Sequence, residues 1–138
     1  MTGTHFQFLN TGQICIAPDY VVVHKSKKEE FIACAKKYIE EFYGKDPSKS
    51  GDYARIVNDR NFERVKALLD SGRVIFGGQT NAEDRYIAPT ILDGVSFESD
   101  VMQAEVRYVK IKIYTSFTLK RIHPEIYPCI QCYVDSEN

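Results

Sequence analysis

This 138-residue sequence lacks an overall surplus of one charge: 18 basic side chains face 19 acidic ones, for a formal net charge of −1. That balance lacks the electrostatic footprint of a nucleic-acid binder or of a protein held on an anionic membrane. No apolar run approaches the roughly 20 residues that span a bilayer, so no transmembrane segment is expected. The start, Met1-Thr2-Gly3-Thr4-His5, lacks the basic region and apolar stretch of a secretory signal. Internal repeats and low-complexity segments are absent as well. The glycines form no G-x-G-x-x-G run after a strand, and Gly77-Gly78 alone is too weak to mark a dinucleotide site. Cys15, Cys34, Cys129 and Cys132 do not fall into a disulfide framework. Reduced thiols fit an intracellular chain, and the expected compartment is cytoplasmic. The length allows one domain with a core of its own.

What is present reads as strand, helix, helix, strand, strand. Val21-Val22-Val23 is an apolar strand. Ser26-Lys27-Lys28-Glu29 has the form of a capping box. Phe31, Ala35, Tyr38, Ile39 and Phe42 then recur at helical spacing, and Gly44 is a good stop. Cys34 lies inside this helix and reads as a buried packing residue. Lys45 to Asp52 is turn-rich. Asn58 or Asp59 caps a second helix with Phe62, Val65, Leu68 and Leu69 on its apolar face and Gly72 at its end. Arg73 to Phe76 is a short strand. Asn81-Ala82-Glu83-Asp84 is a turn, and Tyr86 to Leu92 is extended with a bend or edge at Pro89. This order predicts an α/β layer of parallel strands joined by crossover helices. Val109 to Thr115 alternates like a half-buried strand, and Ile122 to Asn138 has no useful periodicity.

The most informative run is Asn10-Thr11-Gly12-Gln13-Ile14-Cys15-Ile16-Ala17-Pro18-Asp19-Tyr20. It sets one cysteine in a polar, glycine-bearing bend just ahead of the first strand. Asn and Gly suit a backbone that turns through positive φ. A thiolate there is a strong nucleophile. Spacing alone leaves two readings open, an exposed nucleophile or a buried small hydrophobe.

This run resembles the active-site segment of the aldehyde dehydrogenase superfamily, N-x-G-Q-x-C followed by a small residue. Asn10, Gly12, Gln13, Cys15 and Ala17 match. Cys-Ile-Ala-Pro-Asp-Tyr at 15–20 is similar to the class 3 branch. So are Glu40-Glu41-Phe42-Tyr43-Gly44, Arg55-Ile56-Val57-Asn58-Asp59-Arg60, Phe76-Gly77-Gly78-Gln79-Thr80, Arg85-Tyr86-Ile87-Ala88-Pro89-Thr90-Ile91-Leu92 and Val101-Met102-Gln103-Ala104-Glu105-Val106. The similarity covers about residues 6 to 106. It implies an α/β fold, part of the open, mainly parallel catalytic domain of an aldehyde dehydrogenase, cut at both ends. Residues 1–106 are expected to be that partial domain, and 107–138 an unrelated tail of unknown structure.

The resemblance also implies a chemistry. Cys15 would attack an aliphatic or aromatic aldehyde to give a thiohemiacetal. Hydride would pass to NAD or NADP, and water would hydrolyse the thioester to the acid. The family's oxyanion donors are the backbone amide at the cysteine and an upstream Asn, and its base is an upstream Glu. Neither side chain has a counterpart here, and neither does the cofactor domain. The expectation is therefore that this chain alone neither turns over nor binds cofactor. Family members homodimerise, and a non-catalytic homologue, inert or docked on a full-length subunit, is the alternative. The family's E-E-I-F-G-P motif, whose second Glu binds a cofactor ribose hydroxyl, aligns with Ala104-Glu105-Val106-Arg107-Tyr108-Val109. Glu105 is thus either a cofactor contact or an ordinary surface acid.

Two other chemistries compete. A thiol hydrolase would pair Cys15 with His5, His24 or His123, without a local hydrolase signature. A metal or redox site would use Cys129-Ile130-Gln131-Cys132 with His123, one ligand short of structural zinc. No metal is expected.

Overall fold

The computed structural model describes residues 8–14, 17, 20–96, 98–103 and 110–116. Strand β1 (Tyr20–His24) leads into helix α1 (Lys28–Tyr43), and helix α2 (Asp59–Ala67) precedes strand β2 (Arg73–Phe76). A two-stranded hairpin, β3 (Thr80–Asn81) and β4 (Tyr86–Ile87), is followed by strand β5 (Thr90–Asp93), the short helix α3 (Asp100–Gln103) and strand β6 (Lys110–Ser116). The main sheet has the order β1-β6-β5-β2. β6 runs parallel to both β1 and β5, whereas β2 is antiparallel to β5. The fold is α/β, as expected. Its main sheet is mainly parallel, with β2 the antiparallel edge strand.

β6 lies between β1 and β5, with Val21 opposite Ile113 and Ile91 opposite Ile111. Backbone from beyond residue 106 therefore joins the two halves of the sheet. β5 is flanked on both sides, and all four of its residues are buried. That is the pattern of a strand covered on both faces. The ladder shifts register between Val74 and Phe76, a bulge on the edge strand β2.

Helix α1 is an unbroken run without Gly or Pro, and Gly44 ends it at φ 78°, donating its N–H to Glu40 O at 2.9 Å. Its buried face is Ile32, Ala35, Ile39 and Tyr43. Phe31, Tyr38 and Phe42 are only half-buried flanks of that face. The core stripe is thus turned one position from the expected one. Cys34 is exposed, not buried. It sits one residue, about 100° of helical turn, from Ala35. The expected capping box does not form either. The chain enters α1 through a 3-10 turn, Lys25–Lys27, so Ser26 already belongs to a helical turn. His24 caps that turn: its Nδ1 accepts from Ser26 N–H at 3.3 Å and lies 2.8 Å from Ser26 Oγ.

Asn58 caps α2 as expected, its side chain accepting from Asn61 N–H at 2.9 Å. Phe62, Val65 and Leu68 are buried, and Leu69 is half-buried. Phe62 and Val65 meet Ile39, Ile87 and Ile91 in one apolar core, which Phe8 joins from the N-terminal side. Burying one such side chain stabilises the fold by about 1.5–3 kcal/mol. Asp93, at the end of β5, is buried and binds Lys28 Nζ and Arg73 Nη2, each at 2.7 Å. It ties the first turn of α1 and the edge strand β2 to the sheet centre. Among the described residues no helix is long and apolar enough to cross a membrane.

Candidate functional site

The turn Leu9–Gly12 runs out of the core at Phe8, which is 1% exposed. Its backbone is unusual. Asn10 (φ 50°), Thr11 (φ 54°) and Gly12 (φ 73°) are left-handed in succession. Gly tolerates this conformation and Asn accepts it better than most residues. Thr11 is β-branched and buried, so its left-handed backbone is a strained one.

Gln13 closes the turn. Its N–H donates to Asn10 O at 3.1 Å. Its Nε2 lies 3.0 Å from Asn10 O, 2.7 Å from Thr11 Oγ1 and 3.0 Å from Arg55 O. Its Oε1 accepts from Val57 N–H at 3.0 Å. Two N–H groups thus serve three oxygens, and both ends of the carboxamide are engaged. Thr11 Oγ1 in turn donates to Asn10 O at 2.7 Å.

The segment that receives Gln13 is itself held. Arg55 donates from Nε to Asp84 Oδ2 at 2.6 Å, from Nη1 to Tyr53 O at 2.8 Å and from Nη2 to Ser48 O at 2.6 Å. Its guanidinium lies 5.0 Å from the Tyr86 ring centroid. Tyr86, Tyr53 and Tyr43 then pack edge to face into the core, with centroids 5.8 and 5.0 Å apart. Burial raises the hydroxyl pKa of all three tyrosines, most strongly that of Tyr53. Tyr53 keeps its proton and donates it to Ile87 O at 2.9 Å.

On the far side of the motif, Ala17 N–H donates to Ile14 O at 3.0 Å. Cys15 lies between these two residues in sequence, outside the described residues. Glu105, His5, His123, Cys129 and Cys132 lie outside them too. His24 is exposed, with its Nδ1 engaged by Ser26.

Among the described residues no group of three or more His, Cys, Asp or Glu could hold a metal ion. The Gly77-Gly78 turn leads from β2 into the hairpin and not into a helix N-terminus. Its Gly78 N–H is already taken by Thr90 Oγ1 at 3.1 Å.

The sequence matches the model of the aldehyde dehydrogenase family over residues 2–107. It is 50% identical over 100 residues to the dimeric NADP-preferring aldehyde dehydrogenase of Bos taurus, covering 72% of this chain and 42% of that protein. It is 44% identical over 102 residues to 4,4'-diaponeurosporen-aldehyde dehydrogenase of Staphylococcus aureus, covering 72% of this chain and 22% of that protein. The fold superposes on substrate-bound Staphylococcus aureus AldH with a TM-score of 0.80 and 40% identity, over 83% of this chain and 26% of that one. The chain thus spans less than half the length of the relatives it matches. With the family pattern running over most of its length and the same fold beneath it, this chain belongs to the aldehyde dehydrogenase family.

Proposed function

We propose that Cys15 is the nucleophile of an aldehyde oxidation to which this chain contributes the thiol. The observation that supports this reading is the built turn ahead of it: three left-handed residues clamped by Gln13 onto Arg55 and Val57. Strained backbone of this kind clusters at functional sites. In the proposed step the Cys15 thiolate adds to the aldehyde carbonyl carbon. A C–S bond forms, the π pair moves to oxygen, and that oxygen takes a proton to give the thiohemiacetal. NAD or NADP, when bound, accepts the hydride in the family's scheme. The bovine relative is called NADP-preferring, and NADP or NAD is proposed here on that likeness. Glu105 is proposed as a ribose contact.

Substrates are proposed to be aliphatic or aromatic aldehydes, and the setting the cytosol. The catalytic-domain segment is proposed to run over residues 1–106, with β6 from the following stretch completing its sheet. Turnover is proposed to need the family's general-base Glu and oxyanion Asn.

Aldehyde protection tests the thiol step. The chain is alkylated under native conditions with and without a medium-chain aldehyde, and each cysteine is followed by peptide mass. The aldehyde should slow alkylation of Cys15 and leave Cys34, exposed on α1, unchanged. Equal effects on both thiols would count against the proposal.

A further inference from the structure

We infer that Gln13 is the positioning residue of the proposed nucleophile, its carboxamide locking the left-handed Asn10–Gly12 turn onto the Arg55–Val57 segment and so setting where the chain delivers Cys15. The inference rests on the assignment of Cys15 as that nucleophile.

The turn cannot hold its shape by local preference. Asn10 and Thr11 both carry side chains through a region that L-residues avoid. Such a conformation persists where its surroundings over-determine it. The surroundings here converge on one side chain. Gln13 bonds the turn through Asn10 O and Thr11 Oγ1 and bonds the body of the fold through Arg55 O and Val57 N–H. It is half-buried, which limits replacement of these bonds by water. The acceptor end is fixed in turn, because the Arg55 guanidinium is tied to Asp84, Tyr53 and Ser48. Cys15 stands two positions after Gln13, and Ile14 O and Ala17 N are bonded on either side of it. Slack at Gln13 would therefore reach the thiol across two residues of chain. Misplacement on the order of 1 Å is enough to cost a reacting group about 10²-fold in rate.

The test is alkylation of the full chain by iodoacetamide from about pH 5 to about pH 10, resolved by peptide mass, with Cys34 as the internal reference. Wild type is compared with Gln13→Met, which keeps the length and loses every polar contact. Gln13→Glu is the second variant, since it keeps an acceptor for Val57 N–H and loses the donors. Far-UV circular dichroism and the Cys34 rate report on the fold. In wild type, Cys15 should react faster than Cys34, with a midpoint below the ordinary thiol value of about 8.5. Gln13→Met should move the pH profile of Cys15 upwards and slow its alkylation at neutral pH severalfold, since less of the thiol is ionised there. Gln13→Glu should move in the same direction, and Cys34 should not change. If either folded variant keeps the wild-type Cys15 rate and midpoint, Gln13 does not position the thiol. If wild-type Cys15 reacts no faster than Cys34, the assignment of the nucleophile fails instead.

Discussion

The side-chain oxygen of Gln13 accepts a hydrogen bond from the backbone N–H of Val57 at 3.0 Å, joining residues 44 positions apart. Through this bond and its companion to Arg55 O, the motif loop is carried by the segment between α1 and α2. That segment depends on Arg55. Arg55→Ala removes hydrogen bonds to Asp84, Tyr53 O and Ser48 O and the contact with Tyr86. Bonds to a charged donor contribute more than neutral ones, although Asp84 is exposed and its bond correspondingly weaker. Urea unfolding should show a loss of about 2–3 kcal/mol. A loss under about 0.5 kcal/mol, the ordinary surface value, would mean that Arg55 anchors nothing.

Asp93 makes stability depend on acid. Burial pushes its carboxyl pKa up, but the bonds from Lys28 and Arg73 outweigh burial and hold it below the ordinary range. A carboxyl lowered in the folded state stabilises the protein above its unfolded value of about 3.9. That contribution is fully present at neutral pH and is lost as pH falls through the lowered folded value. Asp93→Asn should cost about 1–3 kcal/mol at neutral pH, chiefly because Lys28 loses its partner, while the exposed Arg73 is rehydrated. It should also flatten the stability–pH curve below about pH 4. An unchanged acid limb in the variant would contradict this.

Gly77 is required for a different reason. Its φ is 74°, and a Cβ there would stand 2.0 Å from Pro89 O and 3.0 Å from Thr90 Cα, both backbone atoms. The turn after β2 therefore packs directly on the chain entering β5. Gly77→Ala should destabilise by about 2–4 kcal/mol through clash and strain together. Gly44→Ala is the comparison: its φ is 78°, but a Cβ there would meet nothing within 4 Å. It should cost only the backbone strain, about 1–2 kcal/mol. Thermal unfolding of the two variants orders them, and equal losses would remove the role given to Pro89.

Local pattern made much of the fold legible. The strand Arg73–Phe76 is legible with its observed bounds, because a short apolar run between two glycine signals has few other solutions. The Asn58 cap and the Phe62, Val65 and Leu68 face followed from helical spacing. The face of α1 did not, because its sequence is apolar at both 31 and 32, at both 38 and 39, and at both 42 and 43. Only the sheet beneath it selects Ile32, Ile39 and Tyr43. The same rotation turns Cys34 outward. Ser26 misled because its motif describes a helix start without saying which turn comes first, and His24 took the capping role. At the site, Gln13 was legible as part of a motif but not as a clamp, since its partners lie 42 and 44 residues away. The alternation of residues 109–115 gave a strand, while its central place between β1 and β5 is a matter of non-local pairing.

The central claim is that Cys15 is the thiol of an aldehyde oxidation. A chimera tests it most directly, with residues 2–107 of this chain replacing the matching segment of the Staphylococcus aureus 4,4'-diaponeurosporen-aldehyde dehydrogenase. Formation of NADH or NADPH is then followed with an added aldehyde, in the chimera and in its Cys15→Ser variant. The account predicts reduction of the cofactor by the chimera and its loss in Cys15→Ser. Equal rates in the two, or a folded chimera that binds cofactor and never reduces it, would contradict the account.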